Sequence, residues 1–165
     1  LRCHLSKYFG VSEKNVHAYV FGEHGDTSFV PWSRAFVAGA TIDEMEAIER
    51  KEDPEKAALD KTAVEEYVHT SGATVIAKKG ATFYAVAVSV CRLCSILLAA
   101  SDSIITVSSM LHGQYGIEDV CLSTMASIGP DGVRRIVQVP LTDEEISRLQ
   151  ASADSLKKVI AQIEL

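Results

Sequence analysis

The residues V-H-A-Y-V-F-G-E-H-G-D-T-S-F-V-P-W, numbers 16–32, decide how the rest of the chain is read. In the opening part Val16, Ala18 and Val20 alternate with His17, Tyr19 and Phe21, which is the period and the β-branched, aromatic content of a strand. The strand runs into Gly22-Glu23-His24-Gly25-Asp26-Thr27. Glycines before and after the histidine remove nearby Cβ atoms and open backbone angles that other residues resist. The imidazole of His24 is therefore expected at the end of a stiff strand with open space beside it. Its unperturbed pKa lies nearer neutrality than that of any other side chain, which suits a donor or acceptor of protons. The alternative is a turn histidine that caps the element after it.

The same residues carry a likeness. Gly22-Glu23-His24-Gly25-Asp26-Thr27, with His17-Ala18-Tyr19-Val20 before it and Pro31-Trp32-Ser33 after it, resembles the active-site segment of the lactate and malate dehydrogenases, whose usual pattern is G-x-H-G-D. Glutamate at the second place is more typical of the lactate branch. The likeness continues through Lys79-Gly80-Ala81-Thr82 to the closing helix and covers essentially all 165 residues. It implies an α+β fold of antiparallel or mixed sheets packed with long helices. It also implies that residues 1–165 are a carboxy-terminal catalytic domain, serving substrate and oligomer contacts, with the dinucleotide-binding Rossmann domain absent.

By that resemblance His24 is the general acid/base, Thr82 lines the substrate pocket, and Val86 lies against the nicotinamide ring of NAD. Gly22, Gly25 and Asp26 would hold the loop. The reaction implied is hydride transfer between NADH and pyruvate, or L-lactate and NAD, in a homotetramer. Bacterial members activated by fructose 1,6-bisphosphate have an arginine and a histidine where this chain has Arg2 and His17. The family's orienting aspartate and carboxylate-binding arginine belong to a Leu-Asp-x-x-Arg motif that would precede Leu1, so Arg2 is not that arginine. A second arginine and the residue separating lactate from malate lie on a loop of the nucleotide domain. The isolated chain is accordingly expected to be inactive. A malate-type domain and a non-catalytic oligomerisation or effector-binding module are the alternatives.

Outward from the loop, residues 1–10 place Leu1, Leu5, Tyr8 and Phe9 on one side of a helix that Gly10 ends. The chain thus opens inside a helix, as a piece of a larger protein would. Residues 29–32 should continue extended, with Pro31 marking an edge. Thr41 or Asp43 is a candidate N-cap for the next helix. Asp53-Pro54 can begin a long helix over 54–78, closed by Lys78-Lys79-Gly80. Residues 83–100 are apolar nearly all round, the pattern of a buried helix. Cys91 and Cys94 within it should pack as small hydrophobes rather than bind metal, since a zinc site needs a second pair. Strands are expected over 104–111, 120–128 and 133–139, the last two joined in antiparallel sense by Gly129-Pro130-Asp131-Gly132. A capped start at Pro140-Leu141-Thr142-Asp143-Glu144-Glu145 opens a final helix with the stripe Ile146, Leu149, Ala153, Leu156, Ile160 and Ile163. His4, His69 and His112 are read as surface or structural.

A length of 165 residues suits one domain with a real core. The net charge of −6 argues against nucleic acid or an anionic membrane as the main partner, while leaving room for a local site for a small anion. No apolar run reaches the roughly 20 residues that span a bilayer, and the amino terminus lacks a signal-peptide core. These features are expected of a cytoplasmic protein. No G-x-G-x-x-G follows a strand, and no parallel βαβ unit can be assembled.

Overall fold

Helix α1 (Arg2–Phe9) opens the chain in the computed structural model, which describes residues 1–163. The last two residues of the expected domain lie outside the described residues. Leu5 and Phe9 are the buried face of α1, and Gly10 stops it in a left-handed conformation. They pack with Val16, Val37 and Ile42 into a small core. That core sits on an antiparallel sheet in the order β1 (Val16–His17), β2 (Phe36–Val37), β3 (Ala40–Thr41).

The strand expected over 16–21 pairs in this sheet only at Val16 and His17. It then leaves for a second sheet, where Phe21 bridges Phe29 and Gly22 bridges Ser123. Residues 16–22 thus span from one sheet to the other, which is why a single ladder does not hold them. Trp32–Arg34 form a 3-10 turn rather than extended chain. The cause is the Glu145 carboxylate, which accepts from Ser33 N at 2.9 Å and from the Ser33 hydroxyl.

Thr41 caps α2 (Ile42–Glu52) through a reciprocal capping box with Glu44. The next helix does not start at Pro54. Residues 53–60 stay irregular because α1 and α2 hold them: Tyr8 Oη donates to Ala57 O at 2.8 Å, and Leu59 N donates to Glu46 Oε1 at 3.2 Å. Asp60 then caps α3 (Lys61–Lys79), accepting from Ala63 N at 2.9 Å, and Gly80 closes it.

The largest departure concerns α4 (Tyr84–Leu97). Its all-round apolar sequence is expected to be buried, yet Tyr84 is 67% exposed and Val88 70%. Only Ile96 is buried, packed on Ala126 and Ile128 with Leu93 and Leu97 beside it. An apolar sequence calls for a cover without supplying one, and this chain covers only the last turn. Cys91 and Cys94 are likewise exposed, not packed.

The second sheet is antiparallel throughout, in the order β4 (Ser103–His112), β5 (Glu118–Gly129), β6 (Gly132–Ile136), with Gly129 opposite Gly132 across the expected turn. The third strand ends at Ile136 rather than 139, although Val137 N still reaches Met125 O at 2.8 Å. Thr142 caps α5 (Asp143–Ile160) in a second capping box, with Glu145. Leu149 and Ala153 of α5 are buried against Phe21, Phe29, Leu111 and Leu122. Ile146 and Leu156 are half-buried, Ile160 is 48% exposed, and Ile163 lies past the helix end. Burial pushes the Glu145 carboxyl up, but hydrogen bonds from Ser33 and Thr142 outweigh it and hold the group below the usual carboxylate range. No helix of the described residues is long and apolar enough to cross a membrane.

Leu149 is 0% exposed and Leu98 is 87% exposed. Leu149→Ala should therefore cost about 2–5 kcal/mol in urea unfolding. Leu98→Ala should stay within about 0.5 kcal/mol. Equal losses would show that α5 does not form the core.

Candidate active site

Residues 21–29 close into a tight loop. Phe21 N donates to Phe29 O at 2.8 Å and Phe29 N donates back to Phe21 O at 2.9 Å. One residue further, Gly22 and Ser123 exchange the same pair of bonds at 3.0 and 2.9 Å, fixing the loop to β5. The Phe21 and Phe29 rings meet edge to face beneath it, 6.4 Å between centroids. Gly22 has φ +99°, and a Cβ there would lie 2.8 Å from Ser152 Oγ and 3.3 Å from Ser28 Cα. Only glycine fits that place. Further bonds knit the loop internally: Ser28 Oγ donates to Gly25 O at 2.9 Å, and Thr27 N to Glu23 Oε1 at 3.3 Å.

His24, Gly25 and Asp26 form the exposed tip. Among the described residues, no protein group hydrogen-bonds to the His24 imidazole, so both ring nitrogens are free to meet another molecule. The tip borders a cavity of about 1120 Å³ between the loop, α3 and the β4–β5 pair. Arg2, His69, Ser108, Cys121 and Ser123 share its lining. His69 Nε2 lies 2.8 Å from Ser28 O. A carbonyl only accepts, so that nitrogen carries the proton, and α3 is thereby pinned to the base of the loop.

The structure brings His24 and Arg2 to this one cavity. It does not bring Thr82, Val86 or His17 to its lining. Thr82 is exposed before α4, whose capping position is Phe83. Val86 is 56% exposed on α4. His17 is exposed on β1, and Arg2 Nη2 donates to Glu13 O at 2.6 Å. Asp26 is exposed. Two contributors escape sequence reading, His69 and Ser152. Ser152 stands three residues after Leu149 on the buried side of α5, and that spacing is its one signal in the sequence.

The fold is an α+β domain that displays one imidazole on a loop fixed at both ends. The chain belongs to the lactate/malate dehydrogenase family: the family described as "lactate/malate dehydrogenase, alpha/beta C-terminal domain" matches residues 1–165. It is 41% identical over 163 residues to an L-lactate dehydrogenase of Acetivibrio thermocellus, covering 98% of this chain and 50% of that one. Among solved structures, an L-lactate dehydrogenase from Clostridium thermocellum superposes with a TM-score of 0.83 at 38% identity, covering 99% of this chain and 52% of that one. A malate dehydrogenase from Aeropyrum pernix gives 0.84 at 26% identity, covering 99% of this chain and 52% of that one. The chain thus spans about half the length of the curated relatives it matches.

Gly22→Ala tests the close packing of the loop. Gly39 also has positive φ, +91°, but open space at its Cβ. Gly39→Ala should therefore lose about 1–2 kcal/mol from backbone strain alone, and Gly22→Ala more, since Ser152 must also move. Equal losses in urea unfolding would remove the steric role.

Proposed function

We propose that this chain is the catalytic half of an NAD-dependent L-lactate dehydrogenase, with His24 as its general acid/base. The observation that carries the reading is the exposed His24 imidazole on a loop fixed by Gly22 and Ser123, at the mouth of a cavity. In pyruvate reduction His24 gives its proton to the ketone oxygen; in lactate oxidation it takes the hydroxyl proton. Thr82, which stands outside the cavity lining in this chain alone, would shape the substrate pocket in the complete enzyme. The lactate assignment rests on Glu23 and on the name borne by relatives 41% identical to the chain.

Val86 and Val90 lie one turn apart on α4, 56% and 52% exposed, and give it an open apolar strip. That strip fits the flat face of a nicotinamide ring. The chain offers no glycine-rich loop for the pyrophosphate, so it would hold only the nicotinamide end of NAD. When bound, the dinucleotide supplies the hydride acceptor or donor. The exposed apolar surface of α3 and α4 suits contact with a dinucleotide-binding half and with further subunits of a homotetramer, in the cytoplasm.

The reading is tested by fusing the amino-terminal half of the Acetivibrio thermocellus relative ahead of Leu1 and following NADH oxidation with pyruvate. The fusion should turn over and the chain alone should not. His24→Ala in the fusion should lower kcat by about 10²–10⁴-fold, with NADH binding unchanged. Near-normal turnover by that variant would overturn the assignment.

Arg2 and His17 are proposed as the fructose 1,6-bisphosphate site. Arg2 gives one nitrogen to Glu13 O, leaving the rest of its guanidinium for phosphate oxygens, and His17 is exposed in the small sheet's edge strand. The bisphosphate should raise the activity and the assembly of the fusion. It should do neither in an Arg2→Gln, His17→Gln double variant. The same response from both proteins, or from neither, removes the site.

A further inference from the structure

The loop that carries His24 is tied to α5 through a set of protons that can be counted. Thr27 Oγ lies 2.6 Å from Glu23 Oε1 and 3.0 Å from Ser152 Oγ. Glu23 N lies 2.8 Å from the same Ser152 oxygen. A hydroxyl carries one proton, and a carboxylate oxygen here can only accept. The Thr27 proton is therefore committed to Glu23, the shorter contact. The proton between the two hydroxyls must then be that of Ser152. Ser152 Oγ in turn accepts the Glu23 N–H. The result is a closed ring with one direction: Glu23 N–H to Ser152, Ser152 to Thr27, Thr27 to the Glu23 carboxylate.

This ring grips residues 23 and 27, on either side of the exposed tip 24–26. Its anchor, Ser152, is 0% exposed and sits beside Ala153 of the α5 core face. The single Ser152 proton is spent on Thr27, so none is left for a bond back to a carbonyl of α5. Removing the hydroxyl would leave the Glu23 N–H without an acceptor in a half-buried place. It would also leave Thr27 bonded to Glu23 alone, with no tie to α5. Among the described residues no other hydrogen bond joins residues 23–27 to α5.

We infer that Ser152 is a positioning residue for the reaction: through Thr27 and Glu23 it holds the His24 imidazole in one place relative to the cavity. The inference rests on the reading of His24 as the acid/base. Small displacements of a reacting group cost much in rate, so the ring should act on kcat more than on binding.

The test has one arm on the chain itself and one on the fusion. In the chain, the ring carbon–proton NMR signals of His24 and hydrogen exchange at the Glu23 amide are recorded for the parent, Ser152→Ala, Thr27→Val and Thr27→Ser. Ser152→Ala and Thr27→Val should broaden or split the His24 signals while leaving those of His112 unchanged. Ser152→Ala should also speed Glu23 exchange by about tenfold or more. Thr27→Ser keeps the hydroxyl and should restore sharp signals. In the fusion, kcat should fall about tenfold in the two disrupting variants, with KM for pyruvate held, and should recover in Thr27→Ser. Should Ser152→Ala not fold, the Thr27→Val and Thr27→Ser pair decides by the same readouts. Sharp His24 signals and an unchanged kcat in the disrupting variants would overturn the proposal. Unchanged turnover in His24→Ala would instead overturn the acid/base reading, leaving the NMR arm to judge the ring alone.

Discussion

Four backbone hydrogen bonds, two between Phe21 and Phe29 and two between Gly22 and Ser123, are the constraint on which this structure turns. They bring residues 16–22 out of the small sheet and into contact with the large one. They also set the base of the His24 loop on β5 and place its rings in the larger core. A backbone pair is insensitive to side-chain identity, so what the sequence must supply is permission for close approach. Gly22 supplies it, because at φ +99° any Cβ would meet Ser152 and the Ser28 backbone. The loop so fixed carries the His24 imidazole exposed at its tip.

Much of this was legible in the residues. The G-E-H-G-D-T hexapeptide marks the loop, and Thr41 with Glu44 and Thr142 with Glu145 form the reciprocal caps whose residue types announce a helix start. The large sheet follows from β-branched runs separated by Gly129-Pro130-Asp131-Gly132, whose turn chemistry permits only an antiparallel return. What escaped depends on contacts between residues far apart in sequence. The winding of Trp32–Arg34 is imposed by Glu145, and the late start of α3 by Tyr8 and Glu46 holding residues 53–60. Local propensity has no access to either. Ser152 escaped for the same reason, since its partners are Glu23 and Thr27.

Helix α4 shows a different limit. Its composition calls for an apolar setting, but composition does not say which molecule would provide it. Val86, Val88 and Val90 are exposed in this chain. The chain covers about half the length of the curated relatives it matches. The site is divided in the same manner: the imidazole and its support are built here, whereas Thr82 and Val86 stand away from the cavity lining.

Glu145 carries a consequence for how the protein comes apart. The two main cores share no buried residue: one is built on Leu5, Phe9 and Val16, the other on Phe21, Leu122 and Leu149. Two hydrophobic nuclei with no common member would ordinarily be free to melt one after the other. Glu145 is the first-turn cap of α5 and, with the same carboxylate, the acceptor for the Ser33 turn that leads into β2. Arg148, one turn on, reaches Glu65 of α3, which also receives the Trp32 indole N–H at 2.7 Å. Fraying the start of α5 therefore strips the turn that feeds the small sheet. These polar cross-links join two halves that share no apolar core, so loss of the first turn of α5 is felt in both.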